Sequence, residues 1–130
     1  TFLGKLTGEQ MKEQYLTSNA YVCASALENS PNSIGEAMLL GVPVVAAKAG
    51  GIASMITEQE GWLFPGYCGE DDGGERIGRD LADCVLEVFA AEGQVTERTE
   101  KAAAHARRTH DGQRNLQQLM ELYRELTKLV

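Results

Sequence analysis

The sequence predicts an α/β fold: a parallel sheet flanked by helices, with a helical tail at the C-terminus. Three observations point there. Short apolar runs of strand length alternate with segments whose apolar residues recur at helical spacing. One of these runs, PVVAA at residues 43–47, is continuous rather than alternating, which is the pattern of a parallel strand buried on both faces. Beyond residue 75 the apolar residues keep the helical period to the end of the chain.

In chain order, TFLG at residues 1–4 reads as a short strand ended by Gly4. GEQMKEQYLTS, residues 8–18, reads as a helix with Met11 and Tyr15 four apart on one face. AYVCAS, residues 20–25, is a second strand. In SIGEAMLLG the residues Ile34, Ala37, Met38 and Gly41 fall on one helical stripe, and Gly41 suits a C-terminal cap. After the strand at 43–47, the small-residue loop KAGG leads into a short helix, GGIASMI, and GWLFP forms another strand. The acidic, glycine-rich GEDDGGE at 69–75 is a solvated loop. Ile77, Leu81, Cys84, Val85, Val88 and Phe89 then make one helical stripe, and Leu116, Leu119, Met120, Tyr123 and Leu126 make another. No internal repeat and no linker interrupts the 130 residues, so a single domain is expected.

Charge narrows the function. With 12 basic against 19 acidic residues the formal net charge is −7. Nucleic-acid and anionic-membrane surfaces need clustered Lys and Arg, and the densest pair here is Arg107-Arg108 in a helical, mixed-charge stretch, so neither partner is expected. Cys23, Cys68 and Cys84 have no metal-ligand spacing and do not make a disulfide framework; Cys23 reads as a small buried hydrophobe, and the set suits a reducing, cytoplasmic setting. No apolar run is long enough to span a bilayer. A chain that opens on TFLG without Met reads as a piece of a longer protein. His105 and His110 lie five apart and read as surface residues, Trp62 as packing at a strand, and Lys48 as a solvated loop lysine.

Chemistry is expected at the carboxyl ends of the strands, where open α/β sheets bind ligands. The loop after the second strand, ending in ENSPNSIGE at 28–36, runs directly into a helix, whose N-terminus presents unpaired N–H groups and partial positive charge suited to a phosphate or diphosphate. Neither a lysine-bearing P-loop nor G-x-G-x-x-G occurs. Two readings of the stretch compete. SIGE fits a capping box with Ser33 at the N-cap and Glu36 reaching back, or Ser30 caps the helix with Pro31 at its first position. Alternatively Glu28 and Glu36 bind a ligand: a carboxylate accepts from two vicinal hydroxyls at once and so fixes the orientation of a sugar ring.

The whole run SALENSPNSIGEAMLLGVPVVAAKAGG resembles the donor-binding signature of the glycosyl transferases group 1, the family 4 glycosyltransferases of GT-B fold. A loop glutamate, a helix carrying a second glutamate in EAM, then G-P-V-V-A and a glycine pair carry the likeness. The preceding FLGKLTGEQMKEQYLTSNAYVCAS and the later LYREL extend it across most of the chain.

The resemblance implies a Rossmann-like sheet, the C-terminal half of a GT-B fold. It implies a nucleotide-sugar-binding domain, residues 1–130, N-terminally truncated relative to the family, of a retaining, metal-independent glycosyltransferase with a nucleotide-diphosphate sugar as substrate and no separate cofactor. It implies that Glu28 is the catalytic-site carboxylate bonding hydroxyls of the donor sugar, and that Glu36 binds the ribose. The amides of Asn32, Ser33 and Ile34 would face the diphosphate, Gly4, Lys5 and Leu6 would lie near the base, and Gly50 and Gly51 would permit close approach of backbone to ligand.

The family's Gly-Phe-Gly after the first glutamate is replaced by Asn29-Ser30-Pro31; Pro31 has no N–H to donate, so the Asn29 and Ser30 side chains are the expected substitutes. Ser54 stands where relatives carry a glutamate. The family's diphosphate-binding Arg and Lys, and the domain that receives a glycan or lipid-linked acceptor, lie upstream of Thr1, so this chain alone is expected to be inactive. The sheet strands missing with them would leave open edges that favour a homodimer. The alternative is a non-catalytic nucleotide-binding module, or a structural or oligomerisation module, with the same fold. Base, sugar and acceptor stay unassigned.

Overall fold

The structure, a computed structural model, describes residues 1–67, 74–91 and 93–128. The elements run α1 (Gly8–Thr17), β1 (Tyr21–Cys23), α2 (Asn32–Leu39), β2 (Val44–Lys48), α3 (Ile52–Met55), β3 (Trp62–Pro65), α4 (Glu75–Ala90), α5 (Gln94–Thr109) and α6 (Gly112–Thr127). The three strands form one parallel sheet in the order β1-β2-β3. Tyr21 pairs with Val44 and Val45 with Trp62, so all three strands end at the same edge.

The continuous apolar run behaves as expected of a strand covered on both faces. Along β2, Val44 and Ala46 point into a core shared with α1, α2 and α5, where Tyr15, Ile34, Met38 and Ala106 pack. Val45 and Ala47 point into a second core with Trp62, Phe64 and Val88, closed by α4 and the start of α5. Residues 44–47 are at most 2% exposed. Burying each side chain of Val, Ile or Phe size stabilises by about 1.5–3 kcal/mol, so β2 and Phe64 are the centre of the fold's stability. The layers are helix, sheet, helix, as the strand and helix alternation predicts.

Local signals explain several boundaries. Thr7 caps α1 with a capping box, accepting from the Gln10 amide while the Gln10 side chain accepts from the Thr7 amide. Leu40 ends α2, and Gly41 follows it at φ +71, the left-handed conformation that makes glycine the favoured residue there. Asp111 caps α6 by accepting from the Gln113 and Arg114 amides.

The helical tail is present as expected, in three helices, α4, α5 and α6. Three expectations are corrected. Residues 1–4 form no strand: Gly4 turns at φ +68, Phe2 is fully exposed, and no described strand lies beside them to take up backbone hydrogen bonds. Phe89 lies off the buried face of α4 and is 60% exposed, because the helix docks on the sheet through Ile77, Leu81, Cys84, Val85 and Val88. The stripe on α6 is real but uncovered: no described residue of that helix is buried. Most of the acidic stretch 69–75, and Cys68, lie outside the described residues; of that stretch Gly74 precedes α4 and Glu75 opens it.

Candidate functional site

Two loops leave the carboxyl edge of the sheet side by side. The first follows β1 and carries Glu28, Asn29, Ser30 and Pro31 into α2; the second follows β2 and carries Gly50 and Gly51 into α3. They are joined backbone to backbone. The Gly51 amide donates to the Glu28 carbonyl at 3.0 Å. A Cβ at Gly50 would stand 1.9 Å from the Glu28 carbonyl oxygen, and one at Gly51 would stand 1.5 Å from that of Asn29. The glycine pair therefore seats the Glu28 loop, and Gly50 also needs its φ of +50. Ser30 extends the seat by donating from Oγ to Met55 Sδ at 3.5 Å, and Ser54 Oγ turns back to the Gly51 carbonyl at 2.7 Å.

Helix α2 begins between the two capping readings, two residues before a Ser33 cap would start it and one after a Ser30 cap would. Pro31, at φ −70 and ψ 114, is the N-cap and supplies no side-chain bond, which corrects both the Ser33 box and the Ser30 cap. The proline ring fixes the extended entry, so Asn32 becomes the first helical residue and Ser33 the second. The Ile34 amide turns to the Pro31 carbonyl at 3.1 Å. The amides of Asn32 and Ser33 belong to the first turn and have no intrahelical partner. Their N–H groups, with the helix dipole, make this edge of the sheet attractive to an anion.

Released from capping, Ser33 and Glu36 are held by two tyrosines. Tyr21 OH donates to Ser33 Oγ at 2.7 Å. Tyr15 OH donates to the Ser33 carbonyl at 3.2 Å and to Glu36 Oε2 at 3.3 Å. The two rings pack at 5.6 Å between centroids, tilted by 58°. Burial, then the nearby Glu36 charge, push the Tyr15 phenol up to about 12, so it remains a protonated donor through the neutral range. Burial likewise raises Tyr21, against the opposing effect of its bond to Ser33.

Glu36 faces an open cavity of about 290 Å³ between α1 and α2, lined also by Gly8, Met11, Lys12, Tyr15, Leu39 and Leu40. An apolar wall with one carboxylate and one lysine suits a ring with a hydroxylated edge. Gly4, Lys5 and Leu6 lead into α1 without lining this cavity, and it is Gly8 in the first turn that reaches it. The partnership of Tyr15 with Glu36 escapes sequence reasoning, because Tyr15 shares an apolar face with Met11 and signals only burial.

The remaining singled-out residues are structural. Trp62 is buried at 3%, with the Arg98 guanidinium 4.7 Å above its ring and Arg98 Nη1 donating to the Gly61 carbonyl at 3.0 Å. Lys48 ends β2 and pairs with Glu58, which it holds below the usual carboxylate range. His105 is not a bare surface residue: its Nδ1 lies 2.9 Å from Glu60 Oε1 in a half-buried pair that ties α5 to the turn before β3. His110 lies over α2, where only a glycine at 35 leaves room for its ring. Among the described residues no group of three His, Cys, Asp or Glu could hold a metal ion, and no helix is long and apolar enough to cross a membrane.

Three comparisons bear on this site. Residues 1–83 match the family profile described as Glycosyl transferases group 1. The match ends within α4, so the LYREL likeness in α6 lies outside it. Sulfoquinovosyl transferase SQD2 of Arabidopsis thaliana is 35% identical over 92 residues, 67% of this chain and 16% of that protein. Among solved structures, sucrose-phosphate synthase (tll1590) from Thermosynechococcus elongatus superposes with a TM-score of 0.81 at 23% identity, over 100% of this chain and 31% of its own. Anabaena Alr3699/HepE in complex with UDP superposes with a TM-score of 0.61 at 23% identity, over 84% of this chain and 29% of its own, and its complex with UDP-glucose behaves alike. The solved structures establish the fold, and this chain spans under a third of the length of each relative.

Proposed function

Because the chain belongs to the glycosyl transferases group 1 family, we propose that it is the nucleotide-sugar donor domain of a retaining, metal-independent glycosyltransferase that works within a longer polypeptide. The observation that carries this reading is the arrangement at one edge of the sheet: Glu28 on a loop seated by Gly50-Gly51, the open first turn of α2 beside it, and Glu36 on a cavity wall one turn further along. That UDP and UDP-glucose are the bound molecules in the Anabaena neighbour supports a nucleotide-diphosphate sugar as ligand.

On this reading Glu36 accepts from the ribose hydroxyls while the base lies toward α1 and the Gly4–Leu6 segment. The Asn32 and Ser33 amides receive the diphosphate, with the Asn29 and Ser30 side chains in place of the family's glycine amides. Glu28 accepts from hydroxyls of the sugar. As the bond to the diphosphate breaks, the sugar gains oxocarbenium character and the diphosphate gains negative charge, so fixed donors at the helix start are worth more in the transition state than in the ground state. The acceptor, a glycan or lipid-linked molecule, and further diphosphate ligands would come from parts of the longer protein, with a cytoplasmic setting.

Calorimetric titration of the longest form of the protein with UDP and GDP, comparing wild type with Glu36→Ala, tests the site. Glu36→Ala should weaken binding at least tenfold, the consequence of removing charge-assisted hydrogen bonds worth about 1.5–3 kcal/mol. Unchanged affinity would sink the ribose assignment. Nucleotide binding without transfer of sugar in the same form would favour the non-catalytic module instead.

A further inference from the structure

We propose that Tyr15 is a positioning residue that holds the Glu36 carboxylate in the orientation that receives the ribose hydroxyls; the inference rests on the donor-site reading above. Glu36 is exposed on the surface of α2, and among the described residues no Lys, Arg or His forms an ion pair with it. Left alone, such a side chain samples several rotamers and must give up that freedom when a ligand binds. Tyr15 removes the freedom in advance. It is 5% exposed, its ring is wedged against Tyr21 and the core, and its hydroxyl is shared between the Ser33 carbonyl and Glu36 Oε2.

The shared hydroxyl refers the carboxylate to the backbone of its own helix. Tyr21 secures the same turn from the other side through Ser33 Oγ. A carboxylate accepts at about four lone-pair positions, so one bond to Tyr15 leaves Oε1 and the rest of Oε2 for two vicinal hydroxyls. Tyr15 also lines the cavity that Glu36 faces, so the bond between them stands at the wall of the space a ligand would enter. Held neutral by burial, it donates and does not compete as a second anion.

The test is calorimetric titration of the longest form of the protein with UDP, GDP and ADP and their 2′-deoxy counterparts, in wild type, Tyr15→Phe, Glu36→Gln and the double variant. Tyr15→Phe keeps the ring and its packing. The expected result is a preference of wild type for the ribonucleotide, a roughly five- to tenfold loss of ribonucleotide affinity in Tyr15→Phe with a smaller loss for the 2′-deoxy form, and no further loss when Tyr15→Phe is added to Glu36→Gln. If Glu36→Gln abolishes the preference but Tyr15→Phe binds as wild type, or weakens both nucleotide forms equally, the positioning role falls and the donor site stands. If wild type binds no nucleotide, or Glu36→Gln leaves the preference intact, both readings fall. Should Tyr15→Phe not fold, Glu36→Asp draws the carboxylate back from the phenol while keeping its charge; retention of the ribonucleotide preference in that variant would overturn the role.

Discussion

Gly51→Ala is the substitution on which the geometry speaks most sharply. A methyl group there would be built 1.5 Å from the Asn29 carbonyl oxygen and 2.7 Å from its carbon, so the backbone of one of the two loops must move. Movement costs the Gly51 to Glu28 backbone bond and forces overpacking, about 1 and 1–3 kcal/mol respectively, against which alanine returns about 0.5–1 kcal/mol by restricting the unfolded chain. The net is a loss of roughly 1–3.5 kcal/mol, or about 4–14 °C in melting temperature for a chain of this size. The natural contrast is Gly35→Ala. Its methyl would meet His110 Nε2 at 2.4 Å, but that atom ends an exposed side chain able to swing away, so the cost should stay within about 1 kcal/mol. Gly78→Ala at the end of the first turn of α4 meets nothing within 4 Å and should stabilise by about 0.5–1 kcal/mol. Thermal unfolding followed by the fluorescence of Trp62, which sits in the core, ranks the three, and nucleotide titration of Gly51→Ala should show weakened binding because the Glu28 loop has lost its seat. A melting temperature for Gly51→Ala within 2–3 °C of wild type would refute the argument that the two loops interlock, since the whole effect would then be under about 0.8 kcal/mol, below the smallest loss the contacts allow.

Three further outcomes follow from other contacts. Burial works to raise the Glu60 carboxyl, but hydrogen bonds from His105 and Thr57 outweigh it and hold the group below the ordinary glutamate value; its contribution is therefore present above that value and lost as pH falls through the lowered one, and Glu60→Gln should flatten the acid side of a stability-against-pH curve. Arg98→Met removes the cation over Trp62 and the bond to Gly61, which should cost about 1–2 kcal/mol and shift the emission of the chain's one tryptophan; unchanged fluorescence and stability would rule out the stacked arrangement. Among the described residues the sheet ends on β1, where Val22 is 43% exposed and the outer backbone groups face no strand, so this chain on its own should pair edge to edge as a dimer even though β1 is short; a strictly monomeric mass in light scattering would exclude it.

Period and punctuation made most of the framework legible. The unbroken run of β2 has the pattern typical of a strand with cover on both faces, and Gly41 reads as a helix stop because glycine alone takes the left-handed conformation without cost, which the structure bears out. The places where sequence reasoning went astray are those where a distant partner decides. Residues 1–4 have strand composition but no described neighbour to bond. Ser33 has the spacing of a cap, yet the rigid entry through Pro31 moves the helix start and frees its hydroxyl for Tyr21, twelve residues away. Glu28 and Glu36 stood out through the resemblance to the glycosyl transferases group 1 signature rather than through their spacing, whereas Tyr15 and the glycine seat under Glu28 became visible only when α1, α2 and the loop after β2 were brought together.

Helix α6 shows how helicity and cooperativity can part company. Sixteen residues contribute helical signal without a single buried side chain, so the helix shares little of the surface whose exposure drives unfolding of the sheet. A melt recorded through Trp62 reports the core, and one recorded through backbone dichroism reports the core plus α6. For this chain the two curves should not coincide, and a two-state fit to the dichroism alone would describe a transition that no part of the molecule undergoes.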